Sequence, residues 1–206
     1  MEKTFFDESY FDKMDERYLS ETDLLFRDAV RKFIKEKIFS RVAGWEIGNY
    51  EPHSSKENLI GSLMIKFGEL GLLGMNLDLE KYVPGFEKAG AFAYGVAMRE
   101  LEAADSAMRS CASVQSGLVM YPILKYGTES QKEKWLPLLY AGETIGAFGL
   151  TEPQGGSDPR RMLVKAECDG DDFILNGTKC WITNGSIADV VVVWAKLGGE
   201  KGDVRG

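Results

Sequence analysis

Three stretches carry residue types at spacings that chemistry can use. The first is GAFGLTEPQGGSDP, Gly146 to Pro159. It begins as a strand-like apolar run and breaks into Glu-Pro, a glycine pair, Ser and Asp. Thr151 and Ser157 supply hydroxyls. The N–H groups of Gly155, Gly156 and Ser157, in a concave turn, suit an anion such as a pyrophosphate. No Gly-Lys-Ser/Thr follows, so this is not a Walker loop. No helix pattern follows either, so it is not a Rossmann fingerprint. A plain β-turn explains the same residues, because adjacent glycines admit positive φ or close backbone approach.

The second stretch is LNGTKCWITNG, Leu175 to Gly185. An Asn-Gly turn leads into Trp181, Ile182 and Thr183, and a second Asn-Gly follows. Either the indole is core in a hairpin, or its flat face and single donor lie beside an aromatic ligand. The third stretch is RELEAADSAMRSCASVQS, Arg99 to Ser116. Glu102, Asp105 and Arg109 follow helical spacing and read as an ion ladder on a solvated face. Alternatively, Arg109 is a carboxylate fork at a pocket floor, with Ser110 and Ser113 lining it.

The elements that must hold these stretches divide into two kinds. Up to Gly142 the pattern is helical. Ser20 and Asp23 form a capping box ahead of Phe26, Val30, Phe33, Ile34 and Ile38. A second helix is predicted over Glu57 to Leu70 and ends at Gly71. Asn76 to Gly90 reads as a loop, Ala89 to Ala104 and Cys111 to Lys125 as helices, and Thr128 with Gln131 as another capping box. After Gly142 come short β-type runs, Thr144–Thr151, Leu163–Cys168, Asp172–Leu175, Cys180–Thr183 and Val190–Lys196. Asp169-Gly170 and Asn176-Gly177 are hairpin signals. The expected class is α+β: an all-helical domain over residues 1–142, then the start of an antiparallel β-barrel domain over 143–206.

Composition narrows the function classes. Of 206 residues, 44% are hydrophobic and 28% charged, with a net charge of −7. That acidity argues against sequence-independent nucleic-acid binding. No apolar run reaches membrane-spanning length, and the acidic N-terminus has no signal core, so no membrane anchor or targeting peptide is expected. Cys111, Cys168 and Cys180 form no CxxC, which reads as reduced thiols. The single histidine, His53, lies in a polar stretch and reads as surface, which weighs against His-based metal or triad chemistry. The acidic pairs Asp7-Glu8 and Asp15-Glu16 read as solvated surface.

Taken together, GLTEPQGGSD at Gly149 to Asp158 and LNGTKCWITNG at Leu175 to Gly185 resemble the two flavin-region signatures of the acyl-CoA dehydrogenase family, in its order and at its spacing. Ala93 to Leu139 is similar to the glutaryl-CoA dehydrogenase branch nearly throughout. The resemblance implies a helical domain, a middle β domain and a C-terminal helical bundle that this chain lacks, with FAD bound and the full-length protein a homotetramer. It places Phe148, Leu150, Thr151, Gly156, Ser157, Trp181, Ile182 and Thr183 at the cofactor. It places Arg109 at the far carboxylate of glutaryl-CoA, with Ser110, Ser113, Glu102 and Ser157 as further substrate positions. The implied reaction is α,β-dehydrogenation of an acyl-CoA thioester, with electrons passed to an electron-transferring flavoprotein. Leu79 to Gly90 departs from the family's loop. The family's catalytic glutamate is expected beyond Gly206, so no residue here is assigned as base and this chain alone is expected to be inactive. A catalytically inactive binding or assembly module, or an oxidase-like enzyme using oxygen, are the alternatives. The expected location is the cytoplasm, or the mitochondrial matrix for a mature eukaryotic chain.

Overall fold

The computed structural model describes residues 8–39, 59–198 and 203–206. His53 and Asp7 lie outside them. Helix α1, Glu8–Tyr18, precedes α2, Glu21–Phe33, which runs on into a π-helical turn, Ile34–Ile38. Then come α3, Leu59–Glu69, and α4, Ala91–Ala104. Helix α5, Ser106–Ser113, continues through a π-helical segment, Val114–Met120, into α6, Tyr121–Tyr126; α7 is Glu129–Tyr140. Both predicted capping boxes form, at Ser20/Asp23 and Thr128/Gln131. Among the described residues no helix is long and apolar enough to cross a membrane.

A helical N-terminal domain is therefore followed by a small β region, as expected. Its strands are β1, Gly146–Gly149; β2, Lys165–Asp169; β3, Asp172–Asn176; β4, Val190–Val193; β5, Ala195–Leu197; and β6, Asp203–Arg205. The pairing is mixed rather than antiparallel throughout. β1 runs parallel to β4 and β2 parallel to β5, while β2–β3 and β5–β6 are antiparallel. The Asp169-Gly170 hairpin forms, with Gly170 at φ 63°. The Asn176-Gly177 hairpin does not: among the described residues β3 has β2 as its one neighbour in the sheet.

Two apolar clusters fill the helical part. One joins Val30, Ile34 and Ile38 to Met64, Phe67, Ala97 and Leu101, and Ile145 inserts into it. The other joins Leu79 and Val83 of the 76–90 loop to Val119, Met120, Leu136 and Leu139, with Phe148, Val190 and Val192 packed against it. Strand β1 and its partner are thus carried on the helical core. The remaining sheet buries only the small cluster of Val164, Ala166 and Ala195.

Asp15 corrects the expectation of a solvated acidic pair. It is 5% exposed and accepts from Arg27 Nη1 at 2.9 Å and from Arg99 Nη1 and Nη2 at 2.9 and 2.7 Å. Burial alone would raise its carboxyl pKa, but the two guanidinium groups hold it below the ordinary value. This cluster ties α1 to α2 and α4. The partners stand 12 and 84 residues away in sequence, so helical periodicity gave no sign of them.

Candidate functional site

Strand β1 leaves the helical core through a buried polar hub. Gln115 in the π-helical segment donates from Nε2 to Leu139 O at 2.9 Å and Thr144 O at 2.7 Å, and its Oε1 accepts from Gly146 N at 2.7 Å. Burial of a fully bonded amide fixes where β1 begins. At its far end Gly149 O accepts from Trp194 N, 3.0 Å. Thr151 O then accepts from Cys180 N at 2.9 Å, and Leu150 O from Lys179 Nζ at 3.0 Å. The first and second sequence stretches therefore lie side by side.

Beyond Glu152 the chain closes a tight turn, with Glu152 N to Gly155 O at 3.1 Å and Gly155 N to Glu152 O at 3.0 Å. Neither Gly155 nor Gly156 adopts a positive φ. A Cβ on Gly155 would come no nearer than 3.8 Å to Asp158 O, and one on Gly156 no nearer than 3.7 Å to Thr151 Cγ2. The chain's own packing thus does not require glycine at either position. Gly156 and Ser157 are exposed, and their N–H groups find no acceptor among the described residues. The bare backbone next to Thr151 is open to something that approaches from outside.

The second stretch is not the strand its residue types predict. Residues 180–183 belong to no strand, because Trp181 stands at φ 58° and Asn184 at φ 64°. For a bulky residue such a φ is an outlier that costs on the order of 1–3 kcal/mol. It turns the indole outward, where Trp181 is 91% exposed. Asn184 ties the loop back to β1 by donating from Nδ2 to Gly146 O at 3.1 Å. Between the two stretches opens a hollow of about 460 Å³, walled by Gly149, Val191 and Val193 on one side and by Lys179, Trp181, Ile182 and Gly185 on the other. Among the described residues two buried side-chain polar atoms have no partner, Asn184 Oδ1 and Trp194 Nε1.

Of the predicted cofactor residues, Trp181 and Ile182 line this hollow directly. Leu150, Thr151 and Thr183 do not line it; the first two follow Gly149 in the chain, and Thr183, half-buried, follows Ile182. Phe148 points to the other side of β1, edge-on to Trp194 with centroids 6.2 Å apart, and packs on the helical core. An apolar, indole-edged hollow suits a flat aromatic ligand, and the unpaired N–H groups of Gly156 and Ser157, on the stretch bonded to its wall, suit an anionic group.

Glu152 sits behind this wall, 3% exposed. Its Oε1 accepts from Lys179 Nζ at 2.8 Å and Val164 N at 3.0 Å, and its Oε2 from Leu163 N at 2.5 Å and from Gln154 Nε2. Burial would push its carboxyl up, yet Lys179, the two amides and Gln154 hold it at about 2. Glu152 is therefore ionised and fully engaged, and it has no lone pair to spare for a proton. Among the described residues no group of His, Cys, Asp and Glu is placed to hold a metal ion.

The third stretch contains a break that the ladder reading missed. Helix α4 ends at Ala104, and Asp105, at φ −167° and ψ 128°, caps α5 by accepting from Ala107 N and Met108 N. Arg109 therefore stands in a new helix. Its Nε donates to Glu102 Oε2 at 2.6 Å and its Nη1 to Ser113 Oγ at 3.3 Å, while Ser113 Oγ donates to Ser110 O at 3.1 Å. Nη2 has no partner among the described residues. Tyr94 is also near this guanidinium; burial raises its hydroxyl pKa and the Arg109 charge opposes the rise. The structure thus assembles Arg109, Glu102, Ser110 and Ser113 into one cluster. None of these four residues, nor Ser157, lines the hollow.

Comparison with known proteins fits both regions. The family model described as Acyl-CoA dehydrogenase, N-terminal domain, matches residues 20–143, and the one described as Acyl-CoA dehydrogenase, middle domain, matches residues 147–206. The mitochondrial short-chain specific acyl-CoA dehydrogenase of Bos taurus is 36% identical over 178 residues, covering 86% of this chain and 40% of the relative. A glutaryl-CoA dehydrogenase crystal structure from Mycobacterium smegmatis aligns with a TM-score of 0.79 at 45% identity, covering 89% of this chain and 44% of that one. A second structure of a glutaryl-CoA dehydrogenase from that organism, in complex with FADH2, aligns with a TM-score of 0.79 at 42% identity, over 92% of this chain and 46% of that one. The chain spans less than half the length of each of these relatives.

Proposed function

The chain belongs to the acyl-CoA dehydrogenase family, and from that premise we propose that it forms the helical and β portions of an FAD-dependent acyl-CoA dehydrogenase acting on glutaryl-CoA. The observation that carries the reading is the junction of the two stretches, Cys180 N on Thr151 O at 2.9 Å, with the indole-edged hollow beside it. The 42% identical structure in complex with FADH2 supports the choice of cofactor.

FAD, when bound, supplies the electron acceptor that α,β-dehydrogenation of a thioester requires. Trp181 and Ile182 would offer it an apolar face. The hydroxyls of Thr151 and Thr183 stand ready to hydrogen-bond its polar edge. Gly156 and Ser157 would present unpaired N–H groups to its anionic part, and the absence of a Cβ at Gly156 would let that part come close. Leu150 completes the edge of the wall. Phe148 supports the wall from the core side. The proton-abstracting base is assigned to no residue of this chain, and Glu152, its carboxylate engaged by four donors, is not offered for that role. Electrons pass on to an electron-transferring flavoprotein, and the full-length enzyme is a homotetramer.

Arg109 sets the substrate. A guanidinium with one unengaged nitrogen, steadied by Glu102 and Ser113, can take a second carboxylate. Glutaryl-CoA carries one and a simple acyl-CoA does not. The 45% identity to a glutaryl-CoA dehydrogenase supports this choice over a short-chain substrate. The test is Arg109→Ala in the full-length enzyme. Because a charged hydrogen bond contributes about 1.5–3 kcal/mol, kcat/KM for glutaryl-CoA is expected to fall by about ten- to a hundredfold while that for butyryl-CoA changes little. An equal fall for both substrates would contradict the glutaryl assignment.

A further inference from the structure

Glu152 and Lys179 are 27 residues apart in sequence and meet behind the hollow, their side chains 2% and 12% exposed. Each has more than one task there. Lys179 Nζ bonds both Glu152 Oε1 and Leu150 O, at 2.8 and 3.0 Å, while its stem lies 3.6 Å from where a Gly149 Cβ would be. The lysine thus reaches from the second stretch across to the first and packs its stem beside Gly149. Glu152 receives that charge together with the amides of Leu163 and Val164, which lead into β2. One carboxylate therefore joins three pieces of chain: the turn after β1, the entry to β2 and the second stretch.

We infer that the Glu152–Lys179 pair is a positioning clasp that sets the two cofactor-facing stretches at their mutual distance. The inference rests on the proposed FAD site, but the clasp itself can be read without the cofactor. Its alternative is a buried ion pair that only stabilises the sheet. The two differ at Cys180. The Cys180 amide bonds Thr151 O and touches neither charged side chain, so it reports the junction and not the pair.

Glu152→Gln keeps the shape but turns an NH2 group toward amide or ammonium donors, and a buried donor facing donors is costly. Lys179→Met keeps the stem and removes the charge. Lys179→Arg restores a charge of the same sign. Amide hydrogen exchange of the full-length protein is the first readout. Protection at Cys180 is expected to fall by about tenfold or more in Glu152→Gln and Lys179→Met, while amides of α2 and α7 exchange as in the wild type. The double variant is expected to lose no more than the worse single one, since both remove one linkage. Lys179→Arg is expected to recover part of the loss.

The second readout is FAD affinity from flavin fluorescence, expected to weaken by about tenfold in each single variant. Unchanged Cys180 protection in both single variants would overturn the clasp, whatever the flavin does. So would lost protection spread evenly through α2 and α7, which is the signature of general destabilisation. If Cys180 responds as expected but the wild-type protein takes up no FAD, the clasp stands and the proposed cofactor site fails.

Discussion

A Cβ at Gly142 would sit 2.1 Å from Met64 O, and one at Gly68 would sit 2.3 Å from Ala141 O, whereas one at Gly156 meets nothing nearer than 3.7 Å. In the helical region glycine lets α3 and the end of α7 touch backbone to backbone. In the loop after β1 glycine leaves backbone bare with no neighbour in the chain that asks for it. The same contrast runs through the charged groups. Asp15 is clamped between Arg27 and Arg99 in a purely helical setting, while Glu152 is clamped next to a hollow. The helical half spends its special residues on internal contact. In the β half they keep a surface open and in register, the surface proposed to take the cofactor.

The comparison is most easily broken at Gly142. It combines φ 71° with the 2.1 Å approach, so Gly142→Ala is expected to destabilise the protein by roughly 3–5 kcal/mol in urea denaturation. A loss under 1 kcal/mol would mean that α3 and α7 part without difficulty, and the close contact would lose its meaning. Next in size is Gly156→Val. Here stability is expected to stay within about 0.5 kcal/mol of wild type, while FAD affinity falls by about tenfold, roughly 1.4 kcal/mol. Equal flavin affinity in the two proteins would return the glycine pair to an ordinary turn.

The smallest effect is one of pH. Glu152 is held at about 2, below its ordinary value of 4.5. A carboxyl lowered by folding adds stability that is fully present above its unfolded pKa and lost as pH falls through the folded one. The clasp should therefore weaken between about pH 4.5 and 2. Asp15, lowered from 3.8, weakens in the same direction. Cys180 protection in Glu152→Gln should lack the Glu152 part of this acid loss, and an identical acid profile in variant and wild type would assign the loss elsewhere.

Much of the helical part was legible because its signals are local. A Ser or Thr three residues before Asp or Gln makes a capping box without reference to the rest of the chain, and both boxes form. The first two stretches were legible as motifs, and the Thr151–Cys180 bond sets them side by side. What escaped was non-local. β-type residues at 180–183 gave a strand reading, but tertiary context puts Trp181 at φ 58°. The Glu102–Asp105–Arg109 spacing fits one helix, and it masked the capping signal in Asp105-Ser106 that starts another. The Glu152–Lys179 pairing was not legible, because it spans 27 residues and the amides that share the carboxylate lie 11 and 12 residues away. The parallel β1–β4 pairing spans 44 residues and left no trace in local sequence.

The central claim is that Leu150–Thr151 and Trp181–Ile182 form one wall for the flavin. A crystal structure of the FAD-loaded full-length protein tests it most directly. Ring atoms of the isoalloxazine are expected within about 4 Å of both Thr151 and Trp181, and the diphosphate beside the amides of Gly156 and Ser157. A flavin bound in full occupancy but touching only one of the two stretches, or neither, would contradict it.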